Sequence, residues 1–157
     1  MKIAFVIYSQ TGNTLSVVAK AAHELSANGH DVDFLKIEPK GEIKSGAQIT
    51  KSMFNPFPKL DGYDAYVFAT FVEAFSLNRV MKFYLTDLAK VDGPCAHLTT
   101  QHLMKAWMGG NRAQKQMKQI LVDKGATILG GAHVHWKEET GRELRIKKAV
   151  DDLVALF

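Results

Sequence analysis

The chain has 157 residues, 46% hydrophobic and 23% charged, which is the size and balance of one ordinary globular domain and excludes a disordered or fibrous chain. Its 20 Lys and Arg against 16 Asp and Glu leave a formal charge of +4, enough to favour anionic partners modestly, but the basic residues are scattered without zinc-finger spacing or an aromatic-interleaved stripe, so nucleic acid is not expected. Cys95 is the only cysteine and the apolar runs are too short to cross a bilayer, so the expectation is a cytoplasmic protein without disulfides or membrane insertion.

Ile3 to Tyr8 is a continuous apolar run that predicts a strand buried on both faces rather than a signal peptide, since no small-residue cleavage site follows it. From Asn13 to Ala27 the residues Leu15, Val18, Ala19, Ala22 and Leu25 recur at helical spacing, and Asn28-Gly29 predicts the stop. Val32 to Ile37 alternates like an edge strand. Residues 39 to 62 carry Pro39, Pro56 and Pro58 and predict the least regular, most mobile stretch. A third strand is predicted over Ala65 to Thr70, a helix over Leu77 to Leu88, and a fourth strand over Ala96 to Thr100. A helix over Gln114 to Val122, a fifth strand over Ala126 to Val134 and a closing helix over Glu143 to Leu156 complete the chain.

Strands alternating with helices predict a three-layer α/β domain spanning residues 1–157, with a five-stranded parallel sheet. The order 2-1-3-4-5 places a ligand crevice at the ends of the first and third strands, where the strand order reverses.

Between the first strand and the first helix stands Ser9-Gln10-Thr11-Gly12-Asn13-Thr14. A helix N-terminus presents unpaired N–H groups and partial positive charge, so a turn curling around it binds an anion without Lys or Arg. Gly12 allows the close turn, and the hydroxyls and amides add donors. One such residue would be an ordinary helix cap; this many in six positions exceeds a cap's needs. The loop is neither a Walker A motif nor a three-glycine dinucleotide fingerprint.

In this context Ser-x-Thr-Gly-Asn-Thr resembles the FMN-phosphate loop of flavodoxins and flavodoxin-like proteins. The resemblance implies a flavodoxin-like fold, FMN as cofactor, and phosphate contacts from Ser9, Gln10, Thr11, Gly12, Asn13 and Thr14. It further implies that the loops after the third and fourth strands hold the isoalloxazine ring. In the first of these, Thr70, Phe71, Val72 and Phe75 are the candidates, the phenylalanines being equally at home in the core. In the second, Thr100 and Gln101 suit the polar ring edge, His102 and Trp107 suit the ring face, and Gly109, Gly110 and Asn111 resemble the family's glycine-rich turn. His102 and Trp107 also suit an ordinary surface.

The first ring loop has no glycine, whereas flavodoxins often use Gly there to let a peptide turn towards the flavin, and only Glu73 in it is acidic. His133 and His135 share one face of the fifth strand, but nothing nearby completes a metal site, and no metal or catalytic residue is expected. The resemblance implies an electron carrier working with a redox partner protein or small acceptor, as monomer or dimer. A small FMN-dependent NAD(P)H:quinone-type oxidoreductase is the alternative, suggested by the basic charge and by Arg79, Lys105 and Arg112. A flavin-free partner-binding module is a third class, against which the intact loop argues.

Overall fold

The first apolar run forms β1 (Lys2–Ile7), and from Ile3 onward its residues are at most 3% exposed, as a continuous Val, Ile and Phe sequence requires of a strand covered on both faces. The computed structural model describes residues 1–103, 105 and 107–157. In it β1 pairs in parallel with β2 (Asp31–Lys36) on one side and β3 (Ala65–Glu73) on the other. β4 (Ser76–Leu77) folds back antiparallel on the end of β3. β5 (Pro94–Gln101) joins β3 in parallel, and β6 (Thr127–His135) joins β5. The sheet order is β2-β1-β3-β5-β6. Over the five parallel strands this is the expected 2-1-3-4-5; β4 is an addition.

Two helices cover each face. On one side α1 (Asn13–Ala27) and α4 (Arg142–Val154) pack Val18, Leu25, Ile146 and Leu153 against Phe5, Val67 and Leu98. On the other, α2 (Arg79–Asp87) and α3 (Gly110–Asp123) pack Met81, Tyr84, Met117 and Leu121 against Val6 and Phe68. α1 has the bounds its periodicity predicts, and Gly29 closes it at φ 90°, a left-handed conformation that favours glycine.

Three expectations need correcting. β3 runs on past Thr70 to Glu73, because Phe71 and Val72 are good strand formers. α3 begins at Gly110 rather than Gln114, with Gly109 as its N-cap at φ 114°, so the glycine pair opens the helix instead of separating two elements. The segment between β2 and β3 is irregular apart from a 3-10 turn at Lys51–Met53, yet it is anchored. Phe54 is 3% exposed, packs against the tilted ring of Phe57 and stacks with Phe83, while the Tyr84 and Tyr66 hydroxyls donate to the carbonyls of Pro58 and Leu60. Among the described residues, no helix is long and apolar enough to cross a membrane.

Candidate functional site

The chain leaves β1 at the C-terminal edge of the sheet and turns into α1 through Ser9 to Gly12. Gly12 adopts φ 86° as the N-cap, and a Cβ there would meet nothing within 4 Å, so conformation rather than space calls for glycine. The Ser16 N–H makes the first bond of the turn, to the Gly12 carbonyl at 2.9 Å. Among the described residues, no backbone N–H from Ser9 to Leu15 has a protein acceptor, no side chain caps the helix, and its first turn holds no acid. Such a row of free donors at the positive end of a 15-residue helix suits an anion.

Within that loop the side chains divide. Thr11 is exposed and Ser9 half-buried, leaving their hydroxyls available. Gln10 donates through Nε2 to the Tyr8 hydroxyl at 3.1 Å. Thr14 is buried, its Oγ1 2.8 Å from Thr100 Oγ1; this hydroxyl pair links α1 to β5.

Beside the loop lies a cavity of about 180 Å³, between Thr11 and Asn13 on one side and the ends of β3 and β5 on the other, where Phe71, Val72, Thr100, Gln101 and His102 line it. Tyr8 supports it from below, its ring 5.7 Å from that of Phe71, and burial raises its phenol pKa. Thr70 sits deeper than the sequence implies: fully buried, its hydroxyl donates to the Tyr8 carbonyl at 3.0 Å and so fixes β3 against the end of β1. Gln101 is also committed, since its Nε2 donates to the carbonyls of Leu103 at 2.6 Å and Lys105 at 2.7 Å. That leaves its Oε1, which is buried without a partner among the described residues, as the free polar atom.

Where a long ring loop is expected, the chain forms a tight hairpin. Ala74 and Phe75 connect β3 to β4 with φ of 47° and 60°, the left-handed pair of a two-residue turn in which Asn and Gly are usual. The conformation is held from outside. Gln116 Oε1 accepts from the Ser76 hydroxyl at 2.7 Å and the Leu77 N–H at 2.9 Å, and the Glu73 carboxylate accepts from the Arg79 N–H at 2.9 Å. Gly109 lies against the turn so closely that a Cβ would fall 2.5 Å from Phe75 Cα.

The hairpin alters the roles of several candidates. Phe75 is 58% exposed and Trp107 75% exposed, and neither lines the cavity. Gly109, Gly110 and Asn111 start α3 instead of forming a loop over a ring; Gly110 packs against Gln101 and His133, where a Cβ would come within 2.7 Å of both side chains. The structure thus gathers Gln10, Thr11, Asn13, Phe71, Val72, Thr100, Gln101 and His102 around one cavity, and leaves Thr70, Phe75, Trp107, Gly109, Gly110 and Asn111 as its supports or outside it.

One lining residue was missed. Trp136, directly after β6, closes the cavity on the far side from β3. Its N–H donates to the Gln101 carbonyl at 2.8 Å, and the Arg142 guanidinium lies 5.2 Å from its ring centre, a cation–π contact that fixes the ring. The available signal was a tryptophan at the C-terminal edge of a parallel sheet, where ligands gather. Behind this wall, His133 Nδ1 lies 2.7 Å from Thr99 Oγ1. Burial pushes the His133 and His97 pKa values down to about 4, so both rings are neutral at neutral pH.

The free donors of the turn and the cavity meet at the reversal point of a parallel sheet, the crevice of a doubly wound α/β fold. No protein-family model matches the sequence, and no characterised protein matches it in sequence. Solved structures do match. The flavodoxin of Pseudomonas aeruginosa superposes with a TM-score of 0.65 at 16% identity, covering 99% of this chain and 98% of its own. A WrbA-like flavodoxin from Agrobacterium tumefaciens gives 0.70 at 11% identity, with 99% and 94% covered. Oxidised flavodoxin 2 of Bacillus cereus gives 0.67 at 17% identity, with 99% and 97% covered. The chain has the flavodoxin-like fold.

Proposed function

We propose that this chain binds FMN and serves as a low-molecular-weight electron-transfer protein. The observation that carries this reading is the run of unpartnered N–H groups from Ser9 to Leu15 opening directly onto the Phe71–Gln101–Trp136 cavity. A phosphate monoester dianion suits this donor set, which offers backbone N–H groups, the Ser9 and Thr11 hydroxyls and no competing carboxylate in the first helical turn. A flat heteroaromatic ring suits walls of Phe, Val and Trp with one buried amide oxygen lacking a partner.

When bound, the isoalloxazine supplies the reversible redox chemistry. The chain's own residues divide the remaining work: the loop holds the phosphate, Phe71, Val72 and Trp136 exclude water, and Gln101 fixes the turn at Leu103 and Lys105. At about 180 Å³ the cavity is smaller than the ~300–1,000 Å³ that encloses a small ligand. A ring seated there keeps one edge at the surface, where a redox partner protein or small acceptor reaches it.

The second reading is an NAD(P)H:quinone-type oxidoreductase. It is favoured by Lys105 and Arg112, which are exposed and in no ion pair among the described residues, since unpaired cations attract an anionic nucleotide. Titration of the flavin-free chain with FMN tests the common ground, and saturable binding with a perturbed flavin spectrum is expected. NAD(P)H oxidation with a quinone then separates the readings: negligible turnover by the FMN-loaded chain supports the carrier, and sustained turnover supports the enzyme.

A further inference from the structure

From Gly93 to Val122 the sequence holds no Asp or Glu, while Lys105, Arg112, Lys115 and Lys118 fall within it. Of the chain's 20 basic and 16 acidic residues, 16 of each therefore lie outside this stretch, and the whole formal charge of +4 belongs to it. Its cations are no denser than elsewhere; the acids are what is missing. All four cations are exposed, and among the described residues none is in an ion pair.

The fold puts these charges on one face. Arg112, Lys115 and Lys118 recur at every third residue of α3, on the side away from the buried Ala113, Met117 and Leu121. Lys105 stands in the turn leading into the helix, where its carbonyl accepts from the Met108 N–H at 2.9 Å. Two exposed rings adjoin: Trp107 in the same turn, and Phe75 in the hairpin that Gly109 packs against.

The arrangement works against the helix that carries it. Like charges three residues apart repel one another, and Arg112 sits in the first turn, at the positive end of the helix dipole, where there is no acid to offset it. Nothing inside the described chain uses these cations, which is how a surface shaped for another molecule differs from one shaped for stability.

We propose that the face formed by Lys105, Trp107, Arg112, Lys115 and Lys118, with Phe75 at its edge, docks an acidic protein, and that this protein is the redox partner. The partner's being a redox protein rests on the flavin reading above; the docking face does not. Tryptophan and arginine are the residues that carry most binding energy at protein interfaces, and surrounding cations steer an acidic surface onto them. A second copy of this chain is a poor fit, because the remaining surface, with 16 residues of each sign, offers no net negative charge. The face also adjoins the site: the start of α3 touches two residues that line the cavity, Val72 through Gly109 and Gln101 through Gly110, so a partner seated there stands close to a bound ring.

The test uses two c-type cytochromes, one acidic and one basic, reduced in stopped flow by the reduced FMN-loaded chain as ionic strength rises from about 0.01 M to about 1 M, which shortens the Debye length from about 30 Å to about 3 Å. The acidic cytochrome should react at least about tenfold faster at low salt and lose that advantage at high salt, while the basic one should gain speed with salt. Lys115→Glu combined with Lys118→Glu should slow the acidic reaction about tenfold at low salt and leave FMN affinity unchanged. Lys40→Glu combined with Lys44→Glu is the control: both double variants take the formal charge from +4 to zero, and all four lysines are exposed, but only the first pair lies on the α3 face, so the control should slow the reaction far less. Equal slowing by the two double variants, or the same salt dependence with both cytochromes, would overturn the face. Calorimetric binding of the acidic cytochrome to the flavin-free chain separates the two readings: binding without any uptake of FMN overturns the flavin reading and keeps the face, and FMN uptake without such binding overturns the face alone. Tighter binding of duplex DNA or phosphatidylserine vesicles than of the acidic cytochrome, lost in the Lys115 and Lys118 variant, would overturn the protein partner.

Discussion

Gly109 is where the hairpin and α3 meet most tightly, and replacing it with alanine makes a graded prediction. The added Cβ would lie 2.5 Å from Phe75 Cα, 2.8 Å from Phe75 C and 2.9 Å from Val72 Cγ1. Two of these are backbone atoms, which cannot rotate away. An L side chain in the left-handed region costs about 1–2 kcal/mol, and forcing the packed hairpin aside adds about 1–3 kcal/mol, so Gly109→Ala is expected to lose about 2–5 kcal/mol. Gly125→Ala is the control: its φ is 95°, but the nearest atom, the Val91 carbonyl oxygen, is 3.7 Å away, an ordinary contact, so only the conformational cost of about 1–2 kcal/mol applies. Urea denaturation measures both. Because Val72 lines the ring cavity, Gly109→Ala should also weaken FMN binding, which Gly125→Ala should leave alone. Equal destabilisation of the two variants would refute the close packing of the hairpin on α3.

Thr14→Val and Thr100→Val should each cost about 1–3 kcal/mol by stranding the buried partner hydroxyl 2.8 Å away, while the double variant costs less than their sum in a denaturation cycle. Acid should destabilise the fold in a defined window: His97 and His133 have folded pKa values near 4 against an ordinary 6.5, so the unfolded chain binds their protons first. Stability then falls as pH drops from about 6.5 to about 4, by about 1.4 kcal/mol per pH unit for each ring, and His97→Asn should flatten the slope of urea stability against pH; an unchanged slope contradicts a neutral buried His97. In a Trp107→Phe background Trp136 is the only tryptophan left, of two in the chain, and FMN should quench most of its emission; Trp136→Ala should weaken FMN binding by about tenfold or more, the scale of a lost aromatic contact.

The five parallel strands and α1 were legible because they follow one rule each, buried runs for the strands and a one-sided stripe for the helix. The turn from β1 into α1 was legible because helix-terminus chemistry is local. The ring side was not, for a local and a non-local reason. The turn at Ala74-Phe75 takes two positive φ values without glycine or asparagine, so nothing in the letters marks it; the conformation is imposed by Gln116, 40 residues downstream of Ser76, and by Gly109. Gly109-Gly110 read as a break because glycine usually is one, whereas here the pair provides the close approach and the helix start. Thr70 and Gln101 were rightly placed at strand ends, but their side chains bond to Tyr8, Leu103 and Lys105, and no spacing rule reveals that. Trp136 belongs to no local motif, and what marks it is its place after β6, since the crevice rule applies to the end of every parallel strand.

Thr11 stands at the centre of this account, and its test is a fluorescence titration of the flavin-free chain and its Thr11→Asp variant with FMN. A carboxylate introduced among the free N–H groups of Ser9 to Leu15 would occupy those donors and repel the dianion, at a cost of about 4 kcal/mol for one charge pair at 4 Å and intermediate dielectric. The account predicts saturable one-to-one binding by the parent chain and at least about a hundredfold weaker binding by the variant. No binding by the parent chain, or equal affinity in the two, would contradict it.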